Sequence, residues 1–448
     1  MSDRLQDLTA QLLSAARQAG ADSADAIAVD GTSISIDVLN GRLEQAERSE
    51  GIDIGLRVLI GQRQACVSAS DISPGTIATM AERAAAMARE APEDPYAGLA
   101  DPSQLARTWD IAALDLADAA PEPSPADLQD DASRAEAAAL AHKGITKIDA
   151  ASAGYGRRTL HLAASNGFSG GYSRTDRAIS CVAITGEGTG MERDYCGESR
   201  TYQTDLPSAE EIGRIAATRT VARAGARKPP SGAFPVIYDE RIAGGLIGHL
   251  LVAANGASVA RGASWLRDAL GTQVLPAGLS ITEDPHRARI SGSRPFDAEG
   301  LATAPRRIVE NGVLCGWTLD LATARQLGLS STASAARGTS APPSPSTSNI
   351  ALTQGAQSRE DLIRDIGTGL LVTSMIGSSI NATTGDYSRG ASGFWIENGE
   401  IAYPVNECTL AGNLHDMLKT LIPANDARAH LSRVVPSLLV EGLTLAGT

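Results

Sequence analysis

The sequence predicts an α+β protein, with helix-flanked antiparallel or mixed sheets in the N-terminal half and a large hairpin-rich β domain in the C-terminal half. Helical periodicity is confined to short segments, such as the leucine-rich residues 5–16. Between these segments apolar and polar residues alternate, as in half-buried strands. Asn-Gly pairs interrupt the alternation at residues 40–41, 311–312 and 398–399. Such pairs favour tight hairpins, because both central residues must adopt positive φ.

The N-terminal part of the chain predicts a helix, antiparallel strands and a second helix. The apolar residues that recur at helical spacing are Leu5, Leu8, Leu12, Leu13 and Ala16. Residues 26–72 then alternate and favour strands. Residues 74–90 are rich in alanine, and Ser73 can cap them as a helix because its hydroxyl accepts a backbone N–H. We therefore assign residues 1–100 to an N-terminal α/β domain.

The middle of the chain, residues 101–227, predicts a linker followed by a central α+β domain. Pro, Asp and Ala dominate residues 92–130, which is typical of a linker or a surface excursion. The predicted elements are a helix at about 125–142, strands between 145 and 204, and a helix at about 208–223. The sequence Lys-Pro-Pro-Ser-Gly at residues 228–232 is a stiff break, because proline fixes φ and lacks a backbone donor. We place the main domain boundary there.

Residues 228–448 predict the β-rich C-terminal domain. A short apolar strand at residues 236–238 opens it, and two of the Asn-Gly turns lie within it. Residues 338–349 contain three prolines and predict a low-complexity loop. An amphipathic helix is expected at about residues 358–371.

Composition and charge exclude several classes of function. The 448-residue chain has 39 Lys and Arg against 52 Asp and Glu, a formal net charge of −13 and a pI of about 5.0. Nucleic-acid affinity rests on clustered basic residues, so we expect no nucleic-acid partner. No apolar stretch reaches the length that spans a bilayer, so we expect no membrane partner either. The five cysteines are odd in number and far apart, which is typical of a reduced cytoplasmic protein.

The chain offers few candidates for catalysis. Ser392 lies in Gly-Ala-Ser-Gly-Phe, which lacks the Gly-x-Ser-x-Gly pattern of a nucleophile elbow. Asp297 and Glu299 can be interpreted as an acid/base pair, but a turn whose carboxylates accept backbone N–H groups is favoured. His249 is alone in an apolar run, which favours a hydrogen-bonded core or groove residue over a ligand or base. We expect no catalytic residue in this chain.

Four consecutive polar residues are candidates for contact with a peptide or a partner subunit: Asp386, Tyr387, Ser388 and Arg389. They lie beside glycines, where a second backbone can approach closely. Sheet edges in the C-terminal domain could hold an extended peptide, since main-chain hydrogen bonds do not depend on its sequence. The alternative is a loop that is polar only because it is exposed. With His249, these residues form the set of groove or contact candidates.

Four long segments carry a family resemblance. They are YDERIAGGLIGHLLVAANGASVARGASWL, SRPFDAEGLAT, ARGTSAPPSPSTSN and TGDYSRGASGFWIENGEIAYPV. The chain resembles the TldD/PmbA family over essentially its whole length, and within it the PmbA (TldE) branch. The resemblance implies a three-part chain. In bacteria it also implies a cytosolic complex of one TldD-like and one TldE-like subunit, a zinc peptidase that trims unfolded or extended peptides.

The resemblance further implies where the family's metal site falls in this chain. TldD-like chains carry an HExxxH segment and a later cysteine, and the six matching positions here are residues 244–249. Gly244 and Gly245 stand where the first ligand and the general base would be, and only His249 is kept. The later segment, residues 421–442, contains no cysteine. A zinc hydrolase needs about three protein ligands and a carboxylate for its water. We therefore expect no cofactor in this chain and zinc in a TldD-like partner.

The leading hypothesis is a TldE/PmbA-like subunit of a cytosolic zinc metallopeptidase complex, contributing peptide binding and enclosure rather than chemistry. Its expected partners are unstructured peptides and a TldD-like subunit in a heterodimer, or a second copy in a homodimer. The alternative is a homodimeric peptide-binding or regulatory protein without peptidase activity, including a role as a modulator of DNA gyrase. A third hypothesis is a metal-independent hydrolase that uses His249.

Overall fold

The computed structural model describes residues 2–447, apart from the side chains of residues 2 and 378, and confirms the α+β class. The N-terminal half is one antiparallel sheet with helices on one face. The C-terminal half combines a closed barrel with a five-stranded sheet and a two-stranded sheet. Within residues 2–447 no helix is both long enough and apolar enough to cross a membrane.

The N-terminal half contains five helices and six strands in the described residues. In chain order they are α1 (Ser2–Gln18), β1 (Ser23–Leu39), β2 (Arg42–Ile60), β3 (Arg63–Ala69), α2 (Pro74–Glu90), α3 (Ile111–Leu114), α4 (Pro125–Leu140), β4 (Ile145–Ala164), β5 (Ser169–Thr185), β6 (Glu192–Arg200) and α5 (Ala209–Ala222). The strand order is β3-β2-β1-β4-β5-β6, and every neighbouring pair is antiparallel. Strands from both sides of residue 100 therefore form one continuous sheet.

The β1–β2 hairpin turns at the predicted Asn-Gly pair. Asn40 has φ 56° and Gly41 has φ 68°, which is the left-handed geometry that this pair tolerates. The carboxylate of Glu136 on α4 accepts the N–H groups of both residues, at 2.6 and 2.8 Å. The hairpin tip is therefore fixed to the helix layer.

The helices cover one face of this sheet because alternate β1 residues point toward them. Ala24, Ala26 and Ala28 pack under α1 and α2. Ile34, Ile36 and Val38 of the same strand face pack under α4 and α5. The small alanines let the first helix pair approach closely, and the larger residues fill the space under the second pair.

The opposite face of the sheet contacts the C-terminal half. Ile27 and Phe168 belong to an apolar cluster with Phe296. On the same strand face as Ile27, Asp25 forms buried ion pairs with Arg57 of β2 and with Arg337 from the C-terminal half. The sheet and the barrel domain are thus joined by both apolar and charged contacts.

The C-terminal half contains five helices and thirteen strands in the described residues. They are β7 (Gly232–Tyr238), α6 (Glu240–Ala253), α7 (Gly256–Ala260), β8 (Ile281–Glu283), β9 (Arg306–Glu310), β10 (Val313–Leu314), α8 (Leu321–Leu327), β11 (Ala335–Ala336), β12 (Ser344–Pro345), β13 (Ile350–Leu352), α9 (Arg359–Ile366), β14 (Gly369–Ile380), β15 (Asp386–Glu397), β16 (Glu400–Asn413), α10 (Leu414–Lys419), β17 (Ile422–Pro423), β18 (Arg433–Val434) and β19 (Leu438–Ala446).

Five of these strands close into a barrel. The order is β16-β15-β14-β7-β19, and β19 also pairs with β16, so the sheet returns to its first strand. β7 and β14 are parallel, and the other neighbours are antiparallel. The largest apolar core of the protein joins barrel residues such as Tyr238 and Leu370 to Leu246 and Leu250 of α6. This core fixes α6 against the barrel.

One predicted boundary in this half is wrong, and one of the two interpretations of residues 386–389 does not hold. The helix expected at residues 358–371 ends at Ile366, because Gly367 adopts φ 67° and the chain enters β14 at Gly369. Residues 386–389 are not a loop, since they begin β15 and pair with β16, and Tyr387 and Ser388 also pair with β14. The alternation of a strand therefore decides which of these four side chains share a face.

Candidate functional site

Helix α6 carries residues 244–249, the six positions that the resemblance aligns with a metal motif, and it begins at an acidic cap. Asp239 follows β7 directly, and its Oδ1 accepts the N–H of Arg241 at 3.1 Å. The same carboxylate forms ion pairs with Arg241 at 3.1 Å and with Arg359 at 2.8 Å. The strand, the cap and the two cations together define the direction in which α6 leaves the barrel.

The glycines of α6 leave a bare helix face, and Arg433 lies on it. A Cβ placed on Gly248 would be 3.0 Å from Arg433 Nη1, and one placed on Gly244 would be 3.8 Å from Arg433 Cδ. Arg433 Nη1 also approaches the carbonyl oxygen of Gly244 at 3.4 Å. The exposed Arg433 side chain therefore lies against Gly244 and Gly248 on this helix face.

His249 follows Gly248 in α6 and lies near both an aromatic ring and charged side chains. Its ring makes an edge contact with Tyr387, with centroids 5.9 Å apart and planes at 70°. Its Nε2 is buried and has no hydrogen-bond partner among residues 2–447. Burial lowers the pKa of His249, and the charges of Arg389 and Arg433 lower it further. The imidazole is thus favoured in its neutral form, with one polar atom left for a ligand.

Tyr387 and Arg389 lie on the inward face of β15. This is the face from which Tyr387 contacts His249. The Tyr238 hydroxyl donates to the Tyr387 hydroxyl at 3.4 Å, and burial raises the pKa of Tyr387. Arg389 Nε donates to the carbonyl oxygen of Gly377 on β14 at 2.7 Å. The structure therefore brings three of the five predicted contact residues together: His249, Tyr387 and Arg389.

Asp386 and Ser388 do not join this group. They alternate with Tyr387 and Arg389 along β15 and so point to the other face. The Asp386 carboxylate accepts the Thr384 hydroxyl at 2.6 Å and the Asn413 amide at 3.0 Å, which holds the β14–β15 turn. Asp386 thus stabilises the β14–β15 turn, and its side chain lies on the face of β15 away from His249.

The donor set around His249 does not fit zinc. Within the described part of the chain, no three His, Cys, Asp or Glu side chains are grouped so that they could hold a metal ion. Cys408 is no substitute, because burial raises its pKa to about 11 and its Sγ donates to the Ala391 carbonyl at 3.1 Å. Zinc ligands are thiolates, neutral imidazoles and carboxylates, and a single imidazole beside the Arg433 guanidinium provides too few of them.

Asp297 and Glu299 form the predicted turn. Asp297 Oδ1 accepts the N–H groups of Glu299 and Leu301 at 2.9 and 3.0 Å, and its Oδ2 accepts the N–H of Ala335 at 3.1 Å. Glu299 Oε2 accepts the N–H of Leu321, at the start of α8, at 2.8 Å. The turn interpretation is confirmed, because both carboxyl groups accept backbone N–H groups of the surrounding loops.

Glu299 makes the stability of the protein depend on pH. Burial raises the pKa of Glu299 well above its ordinary value of 4.5, and the charge of Asp297 raises it further. Above pH 4.5, Glu299 therefore keeps its proton in the folded state and loses it in the unfolded chain. The stabilisation is fully present below pH 4.5 and is lost as the pH rises through the folded-state pKa.

We expect the Glu299→Gln protein and wild type to have the same free energy of unfolding near pH 4. At pH 8 we expect the variant's free energy of unfolding to be higher than that of wild type by roughly 1 kcal/mol or more. The glutamine keeps an oxygen for Leu321 N–H and cannot ionise. Urea unfolding at the two pH values measures the difference. Glu82→Gln on the exposed side of α2 is the control and should change neither value. A Glu299→Gln protein less stable than wild type at pH 8 would contradict the argument.

Sequence reasoning missed Arg433 and Tyr238 as parts of this site. Both are far in sequence from Gly244 and Tyr387, and only the fold brings them together. The sequence gives one indication for Arg433. It lies within residues 421–442, the segment where the resemblance implies a cysteine in TldD-like chains.

Comparison with known proteins places the chain in a family. Three family models, described as domain 1, the central domain and the C-terminal domain of PmbA/TldA metallopeptidases, match residues 24–88, 118–224 and 231–447. The chain is 38% identical over 428 residues to Metalloprotease PmbA of Escherichia coli O157:H7, which covers 95% of this chain and 92% of that protein. It is 37% identical over 443 residues to the Metalloprotease PmbA homolog of Haemophilus influenzae, covering 96% and 94%.

Solved structures share the whole fold. The crystal structure of a proposed modulator of DNA gyrase from Bacteroides thetaiotaomicron has a TM-score of 0.92 at 26% identity, covering 100% of this chain and 99% of that one. TldE from Thermococcus kodakarensis has a TM-score of 0.85 at 19% identity, covering 98% and 100%. Fold and matches together define a metallopeptidase-type protein. The chain belongs to the PmbA/TldD family, in its PmbA (TldE) branch, as its four segments predicted.

Proposed function

We propose that this chain is the non-catalytic, TldE-like subunit of a cytoplasmic zinc metallopeptidase complex, and that a TldD-like subunit supplies the metal and the chemistry. The observation that carries the proposal is the Arg433 guanidinium lying on the glycine face of α6. A bound cation at that place would face the positive charge of the exposed Arg433 side chain instead of ligands. One neutral imidazole cannot hold Zn²⁺ against water and cellular chelators.

The chain's own contribution is to bind and enclose an extended peptide. His249 Nε2 is a buried polar atom without a partner in residues 2–447, and Arg389 lies on the same side of the barrel. A neutral imidazole can donate to or accept from a peptide group, and a guanidinium can bind a carbonyl or a carboxylate. These groups suit a substrate that is recognised through its backbone. The substrate class we propose is therefore unfolded or extended peptide.

The test compares the purified chain alone, a TldD-like subunit alone and the two together. We expect about one zinc ion per heterodimer, none on the lone chain, and cleavage of an unstructured peptide only when the TldD-like subunit is present. Metal analysis by mass spectrometry and a fluorescent peptide assay provide the two measurements. Stoichiometric zinc and hydrolysis by the lone chain would overturn the proposal. Peptide binding by a lone homodimer, with no effect on any TldD-like subunit, would favour the regulatory alternative.

A second experiment tests whether His249 binds the peptide or takes part in the chemical step. In the assembled complex we expect His249→Ala to raise KM severalfold and to leave kcat within about twofold, because a lost binding contact acts before the chemical step. His142→Ala, at a half-buried position after α4, is the matched control. A general base contributes about 10²–10⁴ in rate, so a fall in kcat of that size would assign His249 to catalysis instead.

A further inference from the structure

Two arginines without a carboxylate partner lie near His249. Arg389 belongs to β15 and Arg433 to β18. Burial lowers the pKa of His249, and the charges of both arginines lower it further, so both guanidiniums lie near the imidazole. Arg389 Nε donates to the Gly377 carbonyl at 2.7 Å, and Arg433 Nη1 approaches the Gly244 carbonyl at 3.4 Å. Within residues 2–447 neither arginine forms an ion pair, so their positive charges are not neutralised there.

The carboxylates at the start of α6 are committed to other arginines. Asp239 forms ion pairs with Arg241 at 3.1 Å and with Arg359 at 2.8 Å. Glu240 forms an ion pair with Arg428 at 2.7 Å, and it is the only acidic residue of α6. A carboxylate that already pairs with a guanidinium gains little by turning to another one. This helix therefore has no acidic side chain left for the charges near His249.

The face of α6 around His249 is open to solvent. A Cβ placed on Gly245, one turn before His249, would meet nothing within 4 Å. Val252, three residues after His249, lies on the same helix face and is 62% exposed. Arg433 is also exposed, and its unbranched side chain can turn toward a ligand. A small anionic group therefore has space here, next to two positive charges.

Guanidiniums favour one class of small anion in a peptide. A carboxylate matches the planar donors of a guanidinium, and such charge-assisted hydrogen bonds are about twice as strong as neutral ones. We propose that His249, Arg389 and Arg433 form a site that binds the carboxylate of a peptide. This inference rests on the proposed function, because it names the group by which this chain holds the peptide. Every peptide has a carboxylate at its C-terminus, so the site can act without regard to sequence.

A purely structural role is the alternative for both arginines. Arg389 would then only hold the Gly377 carbonyl on β14, and Arg433 would only cover the glycines of α6. Asp386, two residues before Arg389, lies on the opposite face of β15 and does not offset its charge. A structural role predicts that a peptide acid and its amide bind equally well. A carboxylate site predicts that the acid binds more tightly.

The test measures peptide binding to the purified full-length chain without a TldD-like subunit. Three fluorescent, unstructured peptides are compared by anisotropy: a free acid without Asp or Glu, its C-terminal amide, and the amide with one internal glutamate. We expect the acid to bind roughly tenfold more tightly than the plain amide. If the glutamate peptide binds as the acid does, side-chain carboxylates are also ligands. If it binds as the plain amide does, the ligand is the C-terminal carboxylate.

Equal binding of the acid and the plain amide would overturn the inference and leave the proposed peptide-binding role intact. Failure of all three peptides to bind would overturn the inference and also the peptide-binding role of the lone chain. The zinc and cleavage measurements on the heterodimer then decide separately whether this chain is the non-catalytic subunit.

Variants assign the preference to the two guanidiniums. Arg433→Met keeps an unbranched side chain over Gly244 and removes the charge, and Arg389→Gln removes the other charge. In each variant we expect the ratio of acid to amide affinity to fall from about tenfold to about threefold or less, with amide affinity within about twofold of wild type. Arg83→Met, at an exposed position on α2, is the control and should keep the full ratio. An unchanged ratio in Arg433→Met and Arg389→Gln would overturn the inference.

Discussion

Asp25→Ala is expected to lower the free energy of unfolding by about 3–5 kcal/mol, because it leaves two buried cations without their carboxylate partner. Arg57 lies directly opposite Asp25 on β2, with its Nε 2.7 Å from Asp25 Oδ2. Arg337 reaches the other carboxylate oxygen from the C-terminal half, and its side chain is 0% exposed. Burial would raise the pKa of Asp25, but the two guanidiniums outweigh burial and hold it below its usual value.

Denaturant unfolding of the full chain measures this loss. Glu211→Ala removes an exposed partner of Arg214, and this control should cost less than about 1 kcal/mol. Arg337→Ala leaves the Asp25–Arg57 pair intact and should cost less than Asp25→Ala. If Asp25→Ala were as mild as the surface control, the buried triad would not be a major contact between the sheet and the barrel domain.

Gly55→Ala is expected to destabilise the same junction by about 1–3 kcal/mol through overpacking. A Cβ on Gly55 would lie 2.2 Å from the carbonyl oxygen of Thr339 and 2.7 Å from its Cα. Backbone atoms cannot move aside as a flexible side chain can. The segment that follows Arg337 must therefore shift, which also disturbs the contact of Arg337 with Asp25.

Gly51→Ala is the matched control for this substitution. Both glycines lie in β2, neither has positive φ, and a Cβ on Gly51 meets nothing within 4 Å. We expect Gly51→Ala to leave the urea midpoint of unfolding nearly unchanged and Gly55→Ala to lower it clearly. Equal midpoints for the two variants would show that residues 338–340 move away from the sheet without cost.

The turns and helix starts of this fold could be predicted from the sequence because they depend on local chemistry. Asn40-Gly41 requires positive φ, and Ser73 caps α2 by accepting the N–H of Thr76. The pairing of β1 with β4 could not be predicted, since alternation tells which face is buried and not which strand is the neighbour. For the same reason, residues on both sides of residue 100 were not expected to share one sheet.

In the candidate site, too, some features follow from the local sequence and others depend on tertiary contacts. Gly244 and Gly245 are read directly from the sequence, at the positions that the resemblance assigns to a ligand and a general base. What fills the space beside Gly248 depends on a tertiary contact with Arg433, which no spacing rule indicates. The split of residues 386–389 between two faces followed only once β15 was known to be a strand.

The place of β1 in the sheet has a consequence for synthesis on the ribosome. β1 ends at Leu39, and its partner β4 ends at Ala164, a separation of 125 residues. At roughly 5–20 residues per second, the nascent chain spends about 6–25 s with one flank of its central strand uncovered. During that interval, holding chaperones have an extended segment to bind, and a premature release of the chain would leave that segment without its native neighbour.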